Sequence, residues 1–435
     1  MSKNAGKYFI FLIIEILILI LVGVYTFTQA LQIPLNSLSA EKVLQAAGIL
    51  NGEMSVSGWT FQPLELPFYL ACVKLFGLST FASISVSVIF FLMIYAAGIC
   101  IIKARELLNL PNLLIWTAIC GLPDPAWIQA VQSATFLILS LLLLPHFISA
   151  LREQRQGRNI AACLFFLVTA ITSFPHMERN SAVHPVHETI RALQTVFRAD
   201  FSRQPLLQYS TGQYFLMSAV LVMMVCALVW TIRSVFLEKT QRYSIAGGKR
   251  KFSAVPHSQN AQEFHACRIK ASVYYALFIM ITIFFCCLTV RRSRAEKTVL
   301  CAWLPFGTAL ILIFIKEELQ KLRFAQGKLS LATLACIFSI LTILFGISPI
   351  VLSRPVSEAD RVIIYLNQAG LRHGYCDTAD QAVFRVASKG EIRFSTIWDD
   401  PENEFLILHP EDVPITEEHT EPPVVINNYS IYKMR

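Results

Sequence analysis

Charged side chains are scarce in this chain: 15% of its 435 residues are Asp, Glu, Lys or Arg, while 55% are apolar. Soluble globular proteins are about a quarter charged, so the composition points away from an ordinary soluble enzyme and toward an integral membrane protein. Paired cysteine motifs are missing as well. Of the eleven cysteines, Cys72, Cys100, Cys120, Cys163, Cys226, Cys286, Cys287, Cys301 and Cys336 fall in apolar runs, where Cys behaves as a small hydrophobe. Cys267 lies in a basic loop, and Cys376 is alone in the C-terminal region. Without a CxxC pair there is support for neither a zinc site nor a disulfide framework. No HExxH occurs; His176, His184, His187 and Glu188 come closest, but Pro185 interrupts any regular helix there, and the stretch reads as a polar loop. No cofactor is expected, and a divalent metal has no support in the sequence. Internal repeats and low-complexity stretches are absent, which argues against a secondary transporter.

Acidic residues are few outside the end of the chain. Residues 351–435 hold 14 Asp and Glu against 8 Lys and Arg, a net −6, and the remainder carries +14. Such a basic excess suits cytoplasmic loops beside anionic lipid headgroups and says nothing in favour of nucleic acid.

Long apolar runs are plentiful. A helix needs about 20 apolar residues to cross a bilayer, and the runs 8–30, 79–102, 107–122, 126–150, 159–174, 212–236, 271–290, 298–316 and 328–352 qualify at least roughly. The first resembles a signal peptide, but its core is too long and contains Glu15, so it reads as a retained span. Residues 64–77 read as a half-helix dipping into the interface. Nine spans with a cytoplasmic N-terminus put 18 Lys and Arg on the cytoplasmic side, seven of them in the loop 237–270, and 9 in the external loops before residue 351. The bias fits the positive-inside rule. The fold expected is an α-helical integral membrane protein of about nine transmembrane helices over residues 1–352, with external loops at 31–65 and 174–211. A small extracytoplasmic α/β domain follows at 353–435.

That tail has legible punctuation. Ser357 can cap a helix bearing Val362, Ile363, Leu366 and Ala369 at helical spacing, ended by Gly370. "LRHGYCDT" reads as a strand, "ADQAVFRVAS" as a helix and Lys389-Gly390 as a turn, with "EIRFSTIW", "FLILH" and "YSIYKM" as further strands. In the external loop 174–211, residues 188–201 read as an amphipathic surface helix with Ile190, Leu193, Phe197 and Phe201 on one side.

One stretch violates the charge bias. "VRRSRAEKTV", residues 290–299, puts Arg291, Arg292, Arg294 and Lys297 in an external loop. Arginine presents a planar fork suited to phosphate oxygens, so a phosphate clamp would explain cations on that side; a cytoplasmic loop beside a miscounted span is the bland alternative.

Two segments carry a family resemblance. "ILNGEMSVSGWTFQPLELPFYLACVKLFGLS", residues 49–79, resembles the first external loop of GT-C glycosyltransferases, related to protein mannosyltransferases and the aminoarabinose transferase of lipid A. "NQAGLRHGYCDTADQAVFRVASKGEIRFSTIW", residues 367–398, is similar to the extracytoplasmic domain of uncharacterised bacterial members. The resemblance implies a multi-pass plasma-membrane enzyme that takes a sugar from a polyprenyl-phosphate carrier and gives it to a glycan, lipid or protein acceptor. It also implies an acid just after the first span. In that slot, "LNSLSAEK", stands Ser39, and the nearest carboxylate is Glu41. Glu41 is thus the candidate base, or else a solvated first-turn residue favourable to the helix dipole. Asp124 matches a second acid of such enzymes, or is ordinary turn chemistry between two prolines. A basic loop before a Pro-aromatic span, here "WLPFGTALILIF", resembles the family's carrier-phosphate site, which Arg291, Arg292, Arg294 and Lys297 would supply. Glu65 and Tyr69 are expected near the substrate, with Glu65 orienting the half-helix. A relative that has lost catalysis, and binds such lipids or scaffolds envelope assembly, is the other function open; an O-antigen-type polymerase or ligase would carry larger external loops.

Overall fold

The computed structural model describes residues 3–104, 107–152, 302–321, 331–347, 354–398, 400–409 and 422–434. Among them the chain is mostly helical, with one small sheet. Two of the described helices are long and apolar enough to cross a membrane, Phe9–Ala30 and Thr80–Lys103, with mean hydropathies of 2.8 and 2.5. The expected spans 159–174, 212–236 and 271–290, and the surface helix 188–201, lie outside the described residues.

The chain divides into two compact units, one made of residues 1–26 and 90–349 and the other of 27–89 and 350–435. The expected boundary at residue 352 follows chain order. Compactness instead gathers the loop and half-helix after the first span with the tail.

In the first unit lie most of α1 (Lys3–Ala30) and of α4 (Thr80–Ala104), with α5 (Leu110–Cys120), α6 (Pro125–Arg152), α7 (Leu304–Lys321) and α8 (Leu331–Gly346). Asn109 caps α5 by accepting from the Asn112 amide, and Pro111 occupies an early position where its missing N–H costs nothing. The core is aromatic. Phe306 of α7 meets Trp127, Trp116 and Phe91 at centroid distances of 5.1, 5.9 and 6.2 Å. Trp116 reaches α4 because Gly98 leaves room: a Cβ there would collide with the indole. Its Nε1 donates to the Tyr95 carbonyl at 3.2 Å, and the Tyr95 and Thr117 hydroxyls bond at 2.8 Å.

Both ends of the α5–α7 pair are pinned, and they fix its direction. At one end Lys316 donates to Asn112 Oδ1 at 2.7 Å and to Glu317 at 2.9 Å, and Glu317 also accepts from Asn112 and Asn109. At the other, the Cys120 thiol faces the Pro305 carbonyl at 3.7 Å and Trp127 Nε1 donates to the Ala302 carbonyl at 3.0 Å. The two helices therefore run antiparallel.

The second unit contains α2 (Ser37–Leu50), α3 (Leu66–Phe76), α9 (Glu358–Ala369), α10 (Thr378–Ala387) and five strands, and α10 packs on α2. The strands are β1 (His373–Cys376), β2 (Arg393–Ser395), β3 (Phe405–Leu408), β4 (Val424–Ile426) and β5 (Tyr429–Lys433), ordered β2-β1-β3-β5-β4. β1 is parallel to β2 and β3; β5 is antiparallel to β3 and β4. Ser357 and Asp360 form a reciprocal capping box on α9, and Gly370 closes it in the left-handed conformation. Val362, Leu366, Phe384, Phe405 and Ile431 meet in the core. The expected tail elements are present; β4 is the addition.

Candidate functional site

Residues 37–69 hold three of the expected site residues in one helical hairpin. Asn36 caps α2, its Oδ1 accepting from the Ser39 amide at 2.7 Å. The helix therefore begins at Ser37, and Glu41 is its fifth residue. The first-turn reading of Glu41 is corrected: no acid stands in the first turn, where the helix dipole acts. Glu41 is exposed, and its Oε1 accepts from Gln45 Nε2 at 3.3 Å. Gln45 is buried and also bonds Thr60, its Nε2 meeting Thr60 Oγ1 at 2.9 Å and its Oε1 accepting from the Thr60 amide at 3.1 Å.

Next to Glu41, the Lys42 side chain turns inward. Its Nζ lies 2.6 Å from Glu65 Oε2, and the two side chains are 8% and 3% exposed. The rings of Phe61 and Tyr69 stand 5.3 and 5.8 Å from the ammonium, within cation–π range. Tyr69 is fully buried, and Trp59 packs on both Tyr69 and Phe61. Burial pushes the Glu65 carboxyl up, opposed by the charge and hydrogen bond of Lys42. Glu65 does stand at the start of α3, but its side chain does not cap the helix. Its carbonyl accepts from the Phe68 and Tyr69 amides at 3.0 and 3.2 Å, and its carboxylate is spent on Lys42. Lys42 and Gln45 are the residues that the sequence did not single out.

In the first unit, Asp124 Oδ1 accepts from the Trp127 amide at 2.6 Å at the start of α6, a capping contact of the kind the turn reading of Asp124 describes and one that leaves the second-acid reading untested. It shares that end of the α5–α7 pair with Ala302. Arg291, Arg292, Arg294 and Lys297, and His176, His184, His187 and Glu188, lie outside the described residues. Glu15 is half-buried on α1. Among the described residues no group of three or more His, Cys, Asp and Glu is placed to hold a metal ion.

Compared with protein-family models, with curated proteins and with solved structures, the chain gives no significant match.

Proposed function

We propose that the chain is a multi-pass membrane glycosyltransferase of GT-C type, moving a sugar from a polyprenyl-phosphate donor to an extracytoplasmic hydroxyl of a glycan, lipid or protein. In that reaction the acceptor O–H gives its proton to a carboxylate while its oxygen bonds to the anomeric carbon. The bond from that carbon to the phosphate oxygen breaks, and its electron pair leaves with the polyprenyl phosphate. The reaction needs a carboxylate base and cations on the departing phosphate at one membrane face. Glu41 is the base, Asp124 the second acid, and Arg291, Arg292, Arg294 and Lys297 the clamp.

The observation that supports this reading is the pinning of the α5–α7 pair. Ala302, five residues past Lys297, accepts from Trp127 at the end where Asp124 caps α6. Lys316 and Glu317 mark the opposite end, with Asn109 and Asn112. In the nine-span topology the first end is extracytoplasmic, so the chain enters α7 from the side of Asp124, against the charge bias. A second reading has its own observation. Ser39, in the slot where the resemblance implies an acid, is buried, its backbone amide held by the Asn36 cap. That favours a relative which binds the carrier without turning it over.

Release of polyprenyl phosphate from polyprenyl-phosphate sugars by the nanodisc-embedded protein tests the reaction. Turnover that Glu41→Gln abolishes supports the transferase. Binding without release supports the second reading. Arg291→Ala should weaken carrier binding by about tenfold to a hundredfold, since it loses a charge-assisted contact of about 1.5–3 kcal/mol, and Arg291→Lys should weaken it too, since the planar fork is lost although the charge remains. Unchanged affinity would remove the clamp.

A further inference from the structure

We infer that Gln45 is a positioning residue for the Glu41 carboxylate, and that the Lys42–Glu65 pair keeps the neighbouring ammonium away from it; the inference rests on the transferase reading above. A glutamine amide has a donor end and an acceptor end, and an assignment of the two must come from its neighbours. Here the neighbour decides. The Thr60 backbone N–H can only donate, so the atom facing it at 3.1 Å is Oε1. Nε2 is then turned to Thr60 Oγ1 at 2.9 Å and to Glu41 Oε1 at 3.3 Å. Gln45 is buried, so this orientation is held by packing as well as by Thr60. A glutamate and a glutamine four apart on a free helix surface would make a similar contact, but neither end of that amide would be fixed from outside the helix.

Lys42 completes the arrangement. It follows Glu41 directly, yet its Nζ is held 2.6 Å from Glu65 Oε2 beneath Phe61 and Tyr69. An ammonium on Glu41 would favour its ionised form and make it a poorer proton acceptor. A neutral amide donor orients the carboxylate without neutralising it. The segment 59–65 thus supplies both constraints: Thr60 holds Gln45, and Glu65 takes Lys42.

The test uses the full chain in nanodiscs, with polyprenyl-phosphate mannose and polyprenyl-phosphate aminoarabinose as donors and a bacterial envelope lipid extract as acceptor. Release of polyprenyl phosphate is followed against pH. Gln45→Leu should lower kcat about tenfold or more with little change in KM, because a misplaced base loses rate rather than binding. Gln45→Glu is nearly isosteric and guards against a folding defect. It sets a second carboxylate beside Glu41 and should move the acid limb of the kcat profile to higher pH, as carboxylates sharing a site hold a proton longer. A side chain at position 45 that did not face Glu41 would leave that limb in place. Wild-type kcat and an unmoved limb in Gln45→Glu, alongside an inactive Glu41→Gln, overturn this inference and leave the transferase standing. No release by the wild-type protein from either donor overturns both.

Discussion

An ammonium withdrawn from water needs a counter-charge close by, and Lys42 finds one 23 positions along the chain. Removing one member of such a pair strands the other. Glu65→Ala is expected to cost about 3–5 kcal/mol, whereas a Lys42→Met, Glu65→Leu double variant should recover most of it, because apolar replacement of a buried pair is often neutral. Thermal unfolding of the protein in nanodiscs checks this; a double variant no better than the single would show that the pair is not the unit of stability. Nothing in the sequence joins these two residues. Lys42 reads there as one more external cation, and its partner lies in a loop of ordinary carboxylates. A signal was present nonetheless: Lys42 sits beside Val43 on the face of α2 that also buries Ala46, where a solvated lysine would not be expected. Gly98 is another residue whose role depends on a distant one. Gly98→Ala would drive a methyl into Trp116 and is expected to lower stability by about 1–3 kcal/mol, read in the same unfolding measurement.

Elements were more legible than partners. Apolar runs and caps locate α1, α3, α4, α5, α9 and α10 because each helix signal is local: Ser357 opens α9 and Gly370 ends it within the same few residues. The strand β4 was not legible. Pro422 and Pro423 precede it, and prolines argue against a strand unless it lies on an edge, which β4 does. Asn427, with φ of 52°, and Asn428 make the tight turn into β5, and that Asn pair was the available clue. The start of β3 yields a pH prediction. Glu404 accepts from the Arg372 and His373 amides, at 2.5 and 3.2 Å, and these bonds hold its carboxyl below the usual carboxylate range. A depressed folded value means that its contribution is complete above the ordinary carboxylate range and is lost as pH falls through the folded value. The melting temperature should therefore fall more steeply on acidification in the wild type than in Glu404→Gln; parallel curves would deny Glu404 that role.

For the molecule as a whole, the sequence divides the chain at residue 352 by its change in charge and hydropathy. The grouping of 27–89 with 350–435 follows from tertiary packing, such as α10 on α2, which no local pattern encodes. The direction of α5 against α7 was available only as a charge tally, and the pinned ends are independent of it. Sidedness of the tail can be measured. Cys376 is buried, and burial, followed by the charges of Asp380 and Asp377, pushes its thiol up, so it should resist labelling. Glu391 has a side chain 62% exposed, and Glu391→Cys is expected to react with an impermeant maleimide in intact cells. Reaction only after lysis would put the tail in the cytoplasm and sink the nine-span topology.

The shortness of α5 bears on depth. Its 11 residues rise about 16 Å, roughly half the hydrocarbon thickness of a bilayer. Its two pinned ends, the Lys316–Glu317 corner and the turn at Asp124, are then closer together than the two faces of a membrane. In a bilayer, at least one of these polar corners would lie below the headgroups. Charge survives there only against protein or water, and at the Lys316–Glu317 corner protein supplies the partners: Lys316 is buried against Asn112 and Glu317, and Glu317 accepts from Asn109 as well, so this corner can sit at depth with its polar groups already satisfied.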